Sequence, residues 1–111
     1  MEYRYLGVSG LQVSPICLGA MMFGGRTSES LSGRIIANAR HAGVNFIDTA
    51  EGYGTEGIVG KGIASVTRDQ VIISSKKSCS QEISPALVRQ SIEVSLSRLR
   101  TDYIDVYNLH G

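Results

Sequence analysis

The sequence predicts an α/β fold, a parallel sheet covered by helices, and three observations carry that prediction. Short apolar runs alternate along the chain with segments of helical period, which implies right-handed βαβ units. No linker or low-complexity stretch breaks the series, and no internal repeat is visible beyond the alternation itself. The 111 residues are 42% hydrophobic and 19% charged, the composition of one globular domain. Two architectures satisfy this pattern, a doubly wound sheet and a barrel.

In chain order, "YRYLGVSGLQVSPICLGA" offers two short extended segments around a Ser9-Gly10 turn, then an apolar run from Ile16 to Leu18. This predicts a hairpin lid leading into the first core strand. "TSESLSGRIIANARHAGVNF" predicts a helix, with Thr27 and Ser28 as hydroxyl caps and Leu31, Ile35, Ala39 and Ala42 at spacings of three and four. Gly43 supplies a left-handed stop, and a second strand runs from Val44 to Thr49. "TEGIVGKGIASV" predicts a short second helix, which Gly57, Gly60 and Gly62 should weaken by up to about 1 kcal/mol each relative to alanine. "VIISSK" predicts the third strand. "SPALVRQSIEVSLSRLR" predicts the longest helix, capped by Ser84, with Pro85 at its first position and Val88, Ile92, Leu96 and Leu99 in one stripe. The fourth strand is expected from Tyr103 to Leu109.

A formal charge of +1 with interspersed signs gives no basic stripe for nucleic acid and no polybasic anchor for a membrane. Cys17 and Cys79 match no metal spacing and are too few for a disulfide framework, so both are expected as reduced thiols, buried or part-buried. "MEYRYLG" has no apolar leader region, and no run reaches the roughly 18 apolar residues of a membrane span. A cytoplasmic location is the expectation.

Side chains alternate across a strand, so residues two apart share a face. That groups Val44, Phe46 and Asp48 on the second strand, Ile72, Ser74 and Lys76 on the third, and Ile104, Val106, Asn108 and His110 on the fourth. Each set is mainly apolar and ends in a polar group, at the C-terminal strand edge where parallel α/β folds place their active sites. Alternation selects Lys76 over Lys77 as the inward lysine. Tyr53 follows Asp48 by five residues in a Gly-flanked loop, "NFIDTAEGYG". A phenol titrates near pH 10, and an adjacent ammonium favours its ionised form. Lys76 would provide that charge, Asp48 would hold the lysine, and His110 would orient a carbonyl oxygen. Such a set suits general acid catalysis on a carbonyl that receives hydride from a cofactor.

These residues lie in blocks that resemble the N-terminal portion of the aldo-keto reductases: "YRYLGVSGLQVSPICLGAMMFGG", "AGVNFIDTAEGYGTEGIVGKGI", "VIISSKK" and "SLSRLRTDYIDVYNLHG". The resemblance implies the first half of a (β/α)8 TIM barrel with an N-terminal β-hairpin, about four parallel strands and three helices, over residues 1–111. It implies NADPH as cofactor, small-molecule aldehydes or ketones as substrates, and a catalytic tetrad of Asp48, Tyr53, Lys76 and His110. The loop after the first strand would approach the nicotinamide, so Gly19, Ala20, Met21 and Asp48 are expected at the cofactor. Met22, Phe23 and His110 are expected at the substrate, although Met21, Met22 and Phe23 equally suit simple packing. No GxGxxG fingerprint follows a strand.

A barrel of this kind needs eight strands and about 250 residues, and this chain reads as four strands. It is therefore expected to be a truncated piece, of low or no activity, with an open half barrel able to self-associate. The competing expectation is a non-catalytic nucleotide-sensing or interaction protein that keeps the reductase sequence. Among the remaining residues, Lys77 is expected as a solvated neighbour, and Asp102 and Asp105 as structural, with Asp105 facing the helix layer. His41 is expected as a helix C-terminal cation. Glu51 and Glu56 belong to the family block, and helix-start electrostatics accounts for Glu56.

Overall fold

In a computed structural model, which describes residues 1–80 and 82–111, the chain opens on an antiparallel hairpin, β1 (Arg4–Tyr5) and β2 (Gln12–Val13). Gly7 and Gly10 make its turn at φ 58° and 81°, a region that only glycine enters without strain. Asn45 ties the hairpin to the sheet: its Oδ1 accepts Ser14 N–H at 2.7 Å and its Nδ2 donates to Gln12 O at 2.9 Å.

Four strands follow, β3 (Cys17–Gly19), β4 (Phe46–Asp48), β5 (Ile72–Ser78) and β6 (Val106–His110). They pair in the order β3-β4-β5-β6, and every pair is parallel. That order decides between the two predicted architectures. A doubly wound sheet reverses its strand order at a switch point, whereas a barrel adds each new strand beside the last. The helices follow the same succession, α1 (Glu29–His41) packing on α2 (Glu56–Gly62) and α2 on α3 (Pro85–Leu99). Between helices and sheet lies the apolar core, which includes Ile36, Ile47, Val59, Ile73 and Leu99, all essentially buried. Each such side chain contributes about 1.5–3 kcal/mol of burial.

Both predicted serine caps form: Ser28 Oγ accepts Leu31 N–H at 3.1 Å, and Ser84 Oγ accepts Leu87 N–H at 3.2 Å. The buried face of α1 is rotated from the predicted stripe. Ser32 and Ile36 are fully buried while Leu31 is 44% exposed. Ser32 Oγ donates to Ser28 O at 2.7 Å, so its hydroxyl enters the interface already satisfied. The glycines of α2 also carry a different meaning from helix weakening. A Cβ at Gly60 would lie 2.5 Å from Arg98 O and 2.8 Å from the Leu99 carbonyl carbon, and one at Gly62 would strike the Ile36 side chain. The helix gives up propensity so that α1 and α3 can approach its backbone.

Two strands are shorter than expected. β4 begins at Phe46 because Val44 N–H still bonds Ala39 O at 2.9 Å, completing the end of α1. β6 begins at Val106, not Tyr103, because Arg68 occupies the approach: it donates to Tyr103 O and Asp105 Oδ2 at 2.8 Å each, and Asp105 Oδ2 accepts Ile73 N–H at 2.9 Å. Arg68 also donates to Thr101 Oγ1 and Val71 O at 2.8 Å, and its guanidinium stacks 3.9 Å from the Tyr103 ring centroid. β5, in contrast, runs two residues beyond its predicted end.

Candidate active site

The ladder register puts Asp48 beside Ser74, Lys76 beside Asn108, and Ser78 beside His110. These residues share the sheet face opposite the helices, by the alternation that sends Ile47, Ile73 and Ser75 into the core. Asp48, Lys76 and His110 therefore come from successive strands, each at or near its C-terminal end.

Lys76 Nζ donates to Asp48 Oδ1 at 2.7 Å, to Asp48 Oδ2 at 2.8 Å and to Thr49 O at 2.8 Å. The pair is partly shielded, with side chains 15% and 33% exposed for Lys76 and Asp48. The same ammonium lies 5.1 Å from the centroid of the Tyr53 ring. His110 meets that ring edge-on, with centroids 5.6 Å apart and planes at 86°. The fold thus brings all four residues of the expected tetrad into one cluster.

Tyr53 reaches this place on a single 3₁₀ turn, Glu51–Tyr53, closed by Gly54 at φ 71°. Around the turn, Thr49 Oγ1 and Thr55 Oγ1 bond at 3.0 Å while buried, joining the two ends of the loop. Lys77 differs from expectation. Lys77 is no solvated neighbour: its side chain is 12% exposed, and Nζ donates to Ser78 O at 3.1 Å and lies 3.6 Å from Glu51 Oε1. Glu51 Oε1 in turn accepts Ser78 N–H at 3.1 Å. Spacing alone gives no signal for either Glu51 contact, because Lys77 and Ser78 lie 26 and 27 positions along the chain and meet Glu51 only once the turn folds back.

Glu56 stands at the start of α2, as expected, and it also has a partner in the sheet. It is 1% exposed, on the helix side of the sheet, where Oε2 accepts Ser75 Oγ–H at 2.6 Å. Nearby Glu51 and Glu56, after burial itself, help push the Tyr107 phenol up to about 12.

The loop after β3 divides its residues. Gly19 is the register partner of Asp48, with open space where a Cβ would project. Ala20 and Phe23 are buried and belong to the hydrophobic core, whereas Met21 and Met22 are exposed. Phe23 packs inward and so offers a wall only through its neighbours. Cys17, expected buried or part-buried, is an exposed thiol on β3. Desolvation first, then the Asp48 carboxylate, push it up to about 11, with Lys76 pulling the other way.

Among the described residues no helix is long and apolar enough to cross a membrane, and no group of His, Cys, Asp and Glu is arranged to hold a metal ion.

Comparison with known proteins agrees with this geometry. Residues 15–111 match the model of the aldo/keto reductase family. The aldo-keto reductase YhdN of Bacillus subtilis is 38% identical over 125 residues, covering 99% of this chain and 38% of that protein. The L-galactose dehydrogenase of Arabidopsis thaliana is 36% identical, covering 99% and 38%. Among solved structures, the holo form of an aldo-keto reductase from Bacillus halodurans superposes with a TM-score of 0.87 at 36% identity, over all of this chain and 40% of that one. The chain thus spans about two fifths of the length of these relatives. Sheet order, clustered side chains and the match over residues 15–111 together make this chain a member of the aldo/keto reductase family, corresponding to the first part of its (β/α)8 barrel.

Proposed function

We propose that these residues are the proton-delivering part of an NADPH-dependent carbonyl reductase, which converts small aldehydes or ketones to alcohols in a full-length protein of this type. The observation that carries the reading is the Lys76 ammonium, fixed by Asp48 and Thr49 O against the ring of Tyr53. Tyr53 is the general acid: it gives its phenolic proton to the carbonyl oxygen, and Lys76 stabilises the negative charge left behind. Asp48 holds Lys76 in place through two hydrogen bonds. His110, edge-on to Tyr53, orients the carbonyl oxygen by hydrogen bonding. The cofactor, when bound, supplies the hydride for the carbonyl carbon.

The residues present fit the nicotinamide end of that cofactor. Open space over Gly19, next to Asp48, lets a flat ring approach the backbone, Ala20 N–H bonds Asp48 O at 2.9 Å and holds the loop there, and Met21 stands exposed beside it. Met22 is the substrate-side neighbour, with Phe23 packed beneath as support. In the family this chain belongs to, later parts of the barrel are expected to hold the phosphate and adenine ends, so we propose little or no turnover by these 111 residues alone. Two free cysteines and a charge of +1 support a cytoplasmic protein without nucleic-acid affinity. The β3 and β6 edges, unpaired in the isolated chain, give it a route to self-association.

The test is a chimera in which these residues replace the matching segment of the Bacillus subtilis relative. It should oxidise NADPH with a nitrobenzaldehyde, and Tyr53→Phe should lower turnover by about 10²–10⁴-fold. An active Tyr53→Phe chimera would sink the assignment, and NADPH binding without turnover would favour nucleotide sensing instead.

A further inference from the structure

We infer that Glu51 is the positioning residue for the Tyr53–His110 pair, through a clasp on the end of β5; the inference rests on the reductase reading above for its catalytic meaning. Glu51 begins the 3₁₀ turn that carries Tyr53. Its Oε1 accepts the backbone N–H of Ser78 at 3.1 Å. Ser78 is the register partner of His110 on β6, and the next residue, Cys79, donates its N–H to His110 O at 3.0 Å. Two successive backbone N–H groups of one strand end therefore hold the two members of the pair, one through Glu51 and one directly.

Other contacts make this a built arrangement. A Cβ at Gly52 would come within 3.1 Å of Ser78 Oγ, so the turn lies directly on the strand end and glycine permits the approach. Lys77 Nζ sits 3.6 Å from the same Oε1 while bonding Ser78 O at 3.1 Å, which places a cation beside the carboxylate at the clasp. Charge-assisted bonds of this kind are stronger than neutral ones. Without the clasp, the turn keeps its attachment at Thr49 and Thr55 but loses its tie to the strand that presents His110. Tyr53 would then be free to change its distance to the imidazole.

The experiment is NMR on the chimera described above, with its Tyr and His rings labelled, reading cross-peaks between the Tyr53 and His110 ring protons. The unmutated chimera should show them. Glu51→Gln should keep them, since its amide oxygen still accepts the Ser78 N–H, while Glu51→Asp, one methylene short, and Glu51→Ala should lose them with the backbone shifts of β4 and α3 unchanged. In the active chimera, Glu51→Asp should lower kcat by about tenfold to a hundredfold with KM for NADPH unchanged. Cross-peaks that persist in Glu51→Asp, or vanish equally in Glu51→Gln, would overturn the clasp. Should Glu51→Ala fail to fold, the Asp and Gln variants decide it. The cross-peaks need neither cofactor nor turnover, so an inactive chimera would remove the reductase reading while leaving this result to stand by itself.

Discussion

Lys76 spends all three of its ammonium donors on two residues, both carboxylate oxygens of Asp48 and the backbone oxygen of Thr49. None remains for Tyr53, whose ring centroid is 5.1 Å away. On the proposed reading the lysine would therefore serve the phenol through its fixed position and charge, not through a hydrogen bond. Lys76→Met in the chimera is expected to lower turnover by about 10²–10⁴-fold, and Lys76→Arg to restore little, because a planar fork cannot reproduce this three-way geometry. Steady-state rates with NADPH check both; a Lys76→Met chimera within about threefold of its parent would count against the role.

Gly57 and Gly60 stand three apart on the same short helix and should respond oppositely to alanine. At Gly57 nothing lies within 4 Å of the place a methyl would take, so Gly57→Ala should stabilise by up to about 1 kcal/mol. At Gly60 the methyl meets the backbone of Arg98 and Leu99, which has no freedom to swing aside. Overpacking costs of about 1–3 kcal/mol then exceed the propensity gain. Urea melts of the two variants would show midpoints moving in opposite directions.

Arg68 joins the segment before β5 to the segment before β6 through four hydrogen bonds and a stack on Tyr103. Its side chain and that of Asp105 are 19% and 8% exposed, so the pair is shielded from water. Arg68→Ala should destabilise by about 3 kcal/mol, since it leaves the shielded Asp105 carboxylate without its cation and the Val71 carbonyl without its side-chain donor. Arg68→Lys should recover only part of the loss. A Gly57→Ala-sized change on the same urea scale would refute this.

The inward column on each strand is legible in the sequence because a period of two fixes the face without knowledge of the partner strand. Asp48 and His110 need nothing more to be placed on one side, whereas the doubled Ser-Ser-Lys-Lys run of β5 leaves Lys76 and Lys77 to be told apart by register. Tyr53 is harder, since its position depends on a turn closed by Gly54 and tied by Thr49 and Thr55, and these contacts have no periodic signature. The face of α1 escapes the pattern because Ser32 is polar by composition yet apolar in effect once its hydroxyl bonds Ser28 O. Gly60, Gly62 and Glu56 look like local devices in the sequence, whereas each is also defined by a residue distant in the chain, and Arg68 carries no sequence signal for its distant partner Asp105.

Cys17 and Tyr107 predict the alkaline behaviour. Partial desolvation, helped by the Asp48 carboxylate, raises the Cys17 thiol from 9.0 to about 11 although the residue as a whole is exposed, and burial, helped by Glu51 and Glu56, raises the Tyr107 phenol from 10.0 to about 12. Both hold their proton more tightly in the folded chain than in the unfolded one. Their contribution is complete below the unfolded values and is lost as pH rises through about 11 and about 12, so stability should fall across pH 9.0 to about 12. In a Cys79→Ser background, iodoacetamide should label Cys17 slowly at neutral pH despite its exposure, with the rate rising toward about pH 11. A rate that levels off near pH 9 would contradict it.

The run Ser74-Ser75-Lys76-Lys77 is doubled, so β5 could slide one residue and still offer a hydroxyl and an ammonium to each side of the sheet. Side-chain chemistry alone would barely penalise the error. What stops it is that the strand is held at both extremities by carboxylates from other segments, Asp105 on the N–H of Ile73 and Glu51 on the N–H of Ser78. These two anchors index the strand like pins in a ruler, and they decide which of two adjacent lysines stands before Asp48.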